Sequence, residues 1–148
     1  MMKKLAVLAV ILFGLSVGAL KSGVFTPEAP QVSSSTAAGD AQLARAYEEK
    51  RSSVQVQAAG TVKKVLQDDN DGSRHQRFIL ELSTGQTLLV AHNIDIAPRV
   101  EDLRRGDRVE FSGEYEWSQQ GGVIHWTHRD PKERHIDGWI RHNGKFYW

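Results

Sequence analysis

Six histidines lie between His75 and His142, in three unusually polar stretches. The first is Ser73-Arg74-His75-Gln76-Arg77. The second is Ala91-His92-Asn93-Ile94-Asp95, followed by Pro98-Arg99. The third is His125-Trp126-Thr127-His128-Arg129-Asp130-Pro131, with His135 and His142 beyond it. Neutral imidazoles and carboxylates are ligands for divalent transition metals, zinc and manganese among them. Arginines beside such a centre can grip a phosphate or carboxylate bidentately, and an imidazole can act as a general base without any metal. On residue type alone, His92, His128 and Asp130 are the metal-ligand candidates. His75, His92 and His128 are the candidates for catalytic acid–base work. Arg74, Arg77, Asn93 and Arg99 are the candidates for holding an anionic ligand. The chemistry implied is binding of an anionic small molecule or nucleic-acid fragment, or metal-assisted hydrolysis of a phosphodiester.

The spacing does not form an established metal motif. His125 and His128 are three apart, so on an extended strand they face opposite sides and cannot share one ion unless the strand ends near Thr127. No His-Glu-x-x-His, P-loop or Gly-x-Ser-x-Gly pattern occurs. Three of the histidines also have a structural reading. His92 continues the face of Leu88 and Val90 and fits a hydrogen-bonded core histidine, His125 fits an exposed strand position, and His142 fits a hairpin. The chain has no cysteine, which excludes a disulfide framework, a thiolate metal site and a cysteine nucleophile.

The elements that must position these residues follow from period. From Ser53 the apolar residues alternate. Val54, Val56, Ala58 and Val62 begin a long first strand whose phase breaks at Lys63-Lys64, the mark of a bulge. Asp68–Asp71 then reads as a solvated turn. Phe78, Leu80 and Leu82 give a second strand, and Leu88, Val90 and His92 a third. Val109, Phe111, Tyr115 and Trp117 give a fourth, with Gly113 at a sharp bend, and Val123–Thr127 a fifth. Five strands with an irregular or short helical piece between the third and fourth predict an all-β fold, a small OB-fold-like barrel. An SH3-like barrel is the competing topology. If the OB order holds, the loop after the first strand and the ends of the third and fifth strands meet at one rim. That rim would gather His75, His92, His128, Arg74, Arg77, Asp95 and Asp130. Asn143-Gly144 between two short β-like runs predicts a C-terminal type I′ hairpin.

Upstream of the barrel the composition changes. Met1–Lys4 carries Lys3 and Lys4, and Leu5–Leu20 is almost wholly apolar, the layout of a secretory signal. Residues 1–20 are therefore expected to be a signal peptide or an N-terminal anchor, the only part expected to contact a membrane. Residues 21–52 are expected to be a flexible linker with a short helix over Ala41–Arg51 capped by Asp40. Residues 53–148 form the barrel with its hairpin. Of 148 residues, 19 are Lys or Arg and 18 are Asp or Glu. That balance argues against a polybasic coat for nucleic acid or membrane.

The polar clusters closely resemble a bacterial family known as domain of unknown function 3465. The resemblance is carried by Gly72-Ser73-Arg74-His75-Gln76-Arg77-Phe78, Leu88-Leu89-Val90-Ala91-His92-Asn93-Ile94-Asp95 and Gly113-Glu114-Tyr115-Glu116-Trp117. Gly122-Val123-Ile124-His125-Trp126-Thr127-His128 and Gly138-Trp139-Ile140-Arg141-His142-Asn143-Gly144 complete it. It covers roughly Gly60 to the end, and it implies small exported proteins, periplasmic or secreted, without implying an activity. Three readings stay open: a binding domain whose rim takes an anion, with or without a metal; a small metal-dependent hydrolase or nuclease using the same rim; and a structural envelope protein.

Overall fold

The structure, a computed structural model, describes residues 32–148, with side chains from residue 35 onward. The expected targeting segment and the first part of the linker lie outside the described residues. Seven strands follow one helix, α1 (Val32–Glu48). They are β1 (Val54–Val65), β2 (His75–Glu81), β3 (Thr87–Asn93), β4 (Arg108–Glu116), β5 (Val123–His125), β6 (Trp139–His142) and β7 (Lys145–Tyr147). Strands β1 to β5 are hydrogen-bonded in the order β1-β2-β3-β5-β4, and β4 returns to β1 to close a barrel. All contacts in it are antiparallel except β3 with β5, which is parallel. This is the OB order that the strand count predicted.

Alternation decides what faces inward. Along β2, β3 and β4 every second residue is buried, and Phe78, Leu80, Leu88, Val90, Phe111 and Tyr115 have no exposed surface. Each such side chain contributes about 1.5–3 kcal/mol by leaving water. β1 is long enough to serve two partners, pairing β4 through Val54–Thr61 and β2 from Thr61 to Val65. The change of partner coincides with a register shift between Val62 and Lys64, where the lysine pair broke the sequence period. Gly113 lies on the inner side of β4. A Cβ there would stand 2.6 Å from the His125 carbonyl oxygen, so only glycine lets β5 close against β4.

The helix begins earlier than the sequence predicts. Asp40 is not its cap but lies inside it, almost wholly buried, accepting a hydrogen bond from the Ser83 hydroxyl. Gly39, Leu43 and Ala46 fall at i, i+4 and i+7 and are buried. Helix α1 packs on β1, and packing rather than the weak propensity of its Ser-rich first turns accounts for the extension. The Tyr47 hydroxyl donates to the Gln119 carbonyl at 3.1 Å, so α1 spans the loops β2–β3 and β4–β5 and covers that end of the barrel. The segment between β3 and β4 holds only turns. Among the described residues no helix is long and apolar enough to cross a membrane.

The C-terminal strands form the predicted hairpin. Asn143 and Gly144 both have positive φ, 48° and 78°, as a type I′ turn requires. Strand β6 pairs the first half of β4, over Val109–Ser112, and β5 pairs the last part, over Glu114–Glu116. The outer faces of β4, β5 and β6 are therefore continuous.

Candidate metal centre on the outer face of the barrel

Part of the expected rim comes together: His75, His128 and Arg99 lie near His92, and Arg74 pairs with Asp95, while the Asp130 carboxylate bonds within its own loop. His75 pairs with Asn93 and Gln76 with His92 across β2 and β3, and the chain after β5 reaches His92 through Thr127. Most of its polar side chains are engaged within the protein. His92 is completely buried. Its Nε2–H donates to the Pro98 carbonyl at 2.9 Å, and its Nδ1 lies 2.8 Å from the Thr127 hydroxyl. Burial, reinforced by the nearby His128, His75 and Arg99, pushes its pKa down to about 4, so the ring is neutral. His75 donates from Nδ1 to the Ser73 carbonyl, and His128 from Nδ1 to the Arg129 carbonyl. The Arg74 backbone N–H and side-chain Nε both bond the Asp95 carboxylate, at 2.8 and 2.7 Å. Arg99 pairs with Asp68, the Arg77 Nε donates to the Gln67 carbonyl, and the Asn93 side-chain oxygen accepts from the Asp95 N–H. The arginines and histidines of the rim mostly tie loops together.

Asp130 has the same kind of role. Its carboxylate accepts backbone N–H groups from Lys132, Arg134 and His135 at 2.8–2.9 Å, which hold it below the usual carboxylate range. Among the described residues, His92, His128 and Asp130 do not form a group whose ligand atoms come together, and both ring nitrogens of His92 and the Asp130 carboxylate are engaged by Pro98, Thr127 and the loop backbone.

A different set does converge. The outer face of β4 carries Glu114 and Glu116, and antiparallel pairing sets His125 of β5 directly opposite Glu114. Among the described residues, Glu114, Glu116 and His125 are the one group of three metal-ligating side chains whose donor atoms all lie within 4.8 Å of one another. His125 Nε2 stands 3.4 Å from Glu114 Oε1 and 3.5 Å from Glu116 Oε1. These distances are long for hydrogen bonds. They match the edge of a tetrahedron, about 3.4 Å, around an ion with ligand bonds of about 2.0–2.1 Å. His125 Nε2 is also shielded from solvent and makes no hydrogen bond of normal length, its polar neighbours being the two carboxylates at ion-pair distance. A polar atom left so is costly, and an ion between the three groups would satisfy it.

A fourth residue supports this set. His135 Nε2 donates to Glu114 Oε2 at 2.7 Å, and its Nδ1 donates to the Ile136 carbonyl at 2.8 Å. Burial works against a charge on the ring, but the bonded Glu114 carboxylate prevails and raises the pKa above the ordinary histidine value. Glu116 is held the other way. Burial pushes its carboxyl up, yet Ser52, Glu114 and His125 leave it below the usual range. The His135 ring stacks flat on Trp126, with centroids 4.1 Å apart and planes 7° from parallel. Trp126 itself has φ 53°, a left-handed conformation that ends β5 and turns the chain away. The loop from there to Gly138 is organised around Asp130, whose N–H in turn bonds Asp137. That loop delivers His135 to Glu114.

The sequence reads His125 as an exposed strand position and offers Glu114 and Glu116 no role, so none of the three was a site candidate. The signal that could have found the site is the pairing of Glu114-Tyr115-Glu116 with Val123-Ile124-His125 across Gln120-Gly121-Gly122. His135 had none, because an irregular loop carries it. A family model described as protein of unknown function (DUF3465) matches residues 28–148, and the chain belongs to that family. No curated protein matches the chain.

Proposed function

We propose that this DUF3465 protein is an exported barrel domain that binds one divalent transition metal on its outer face and holds an anionic ligand through it. The ligands are Glu114 Oε1, Glu116 Oε1 and His125 Nε2, and His135 orients Glu114 through the carboxylate oxygen not facing the ion. The observation that carries the reading is the pair of 3.4 and 3.5 Å separations around a shielded His125 Nε2 that makes no hydrogen bond of normal length. One nitrogen and two carboxylate oxygens suit zinc or manganese. Three protein ligands leave a position open, where the metal would supply a positive charge for a carboxylate or phosphate. The apolar Leu5–Leu20 run after Lys3 and Lys4 supports export.

The test is metal content and zinc titration of the full chain, purified without a histidine tag. The reading expects one equivalent bound, lost in His125→Ala and in Glu116→Gln, with folding kept in both. Absence of stoichiometric metal, and no stabilisation by added zinc or manganese, contradicts it. A second reading, a metal-dependent hydrolase, is favoured by His135, a charged proton donor held against a ligand carboxylate. Turnover of a chromogenic phosphodiester by the zinc form, absent in His125→Ala, would choose that reading over simple binding.

A further inference from the structure

The outer face of a barrel strand usually meets water and carries polar side chains. Beside the proposed metal centre it does not. Val123, paired with Glu116 across β4 and β5, points outward next to Leu89 of β3, and Leu89 is paired with Ile79 of β2. With Leu66 these side chains line a groove of about 310 Å³, and Ser118 and Gln120 of the β4–β5 loop form part of its wall. All four aliphatic residues are half-buried. The groove starts one strand pairing away from a metal-ligand carboxylate and runs across the sheet to β2. Its size lies at the lower end of the range for small-ligand pockets.

We infer that the groove takes the alkyl part of the ligand, and that the ligand is an amphiphilic anion, a carboxylate with an unbranched aliphatic chain. The inference rests on the metal-centre reading, because the register of Glu116 on Val123 is what joins a site for charge to a site for hydrocarbon. A carboxylate at the open metal position would stand at the groove's mouth, and its chain would cover Val123, Leu89 and Ile79 in turn. Each buried methylene contributes about 0.8 kcal/mol, which is about a fourfold gain in affinity per carbon. An open groove, which buries each methylene only in part, gives about two- to fourfold.

The experiment is calorimetric titration of the zinc-loaded full chain with acetate, butanoate, hexanoate and octanoate, repeated after the metal is stripped. The inference expects affinity to climb by about two- to fourfold per carbon from butanoate until the groove is filled. Leu89→Gln and Ile79→Thr, tested separately so that one misfolded variant does not decide the matter, should each flatten the series. A flat series on protein that binds zinc overturns the groove and leaves the metal centre standing. A climbing series on protein that binds no zinc keeps the groove and overturns the metal centre. A mass that halves when octanoate is added would assign the groove to a second copy of the chain. Octanoate binding that appears only after residues 1–31 are removed would assign it to that segment. Either result overturns the inference.

Discussion

The rim at the loop end of the barrel and the outer face of β4 and β5 hold much the same residue types. They differ in what their polar atoms are doing. At the rim His92 makes both of its ring bonds inside the protein, and in the loop after β5 Asp130 spends its carboxylate on three backbone N–H groups. On the outer face His125 Nε2 makes no hydrogen bond of normal length, while two carboxylates stand at metal-ligand spacing from it. A polar cluster marks a site when its donor atoms converge and remain uncommitted. Density of histidine alone marks only where backbone groups needed partners.

Breaking the rim should therefore cost fold and spare metal. His92→Ala removes a fully buried ring and strands the Pro98 carbonyl and the Thr127 hydroxyl. It should lower stability by about 3 kcal/mol or more in denaturant unfolding, with zinc affinity unchanged. If His92→Ala abolishes zinc binding in a protein that still folds, the comparison fails.

The same residue sets a pH dependence. His92 has a pKa of about 4 in the folded protein, against 6.5 for an unperturbed histidine. Between those values the unfolded chain binds a proton that the folded one does not. Stability should then rise with pH across that window, and fall by about 3 kcal/mol as pH drops from above 6.5 to below 4. Urea midpoints across the window check this. His92→Gln, which cannot titrate, should remove that share of the slope.

Sharpening the other side of the comparison calls for a smaller change. His135→Gln keeps a donor toward Glu114 but loses the charge and the stack on Trp126. It should weaken zinc binding by about 10–100-fold without changing the stoichiometry, as read by competition with a chelator. The smallest effect is expected at the rim's surface. Arg74→Ala breaks an ion pair in which 59 % of the arginine side chain is exposed, and it should cost less than about 1 kcal/mol.

The fold was legible because it rests on period. Inward alternation along β2 and β4, the phase break at Lys63-Lys64, and the Asn143-Gly144 turn each have a local cause. The start of α1 was not legible, since Asp40 looks like a cap and is instead drawn into the helix by packing on β1. Part of the rim was legible as geometry, because strand order alone decides which loops share an end. Its chemistry was not, because no sequence pattern shows that the Pro98 carbonyl and the backbone N–H groups around Asp130 absorb those side chains. The outer-face site depends on cross-strand register and on a loop without period. Only the pairing of Glu114 with His125, and the delivery of His135 by the loop built on Asp130, reveal it.

The proposed metal belongs to the outer face and not to the rim. One comparison tests it most directly: zinc titration of the full chain beside His125→Ala and His92→Gln under the same conditions. One equivalent should bind to the wild type and to His92→Gln, and none to His125→Ala. Zinc lost in His92→Gln and kept in His125→Ala would contradict it.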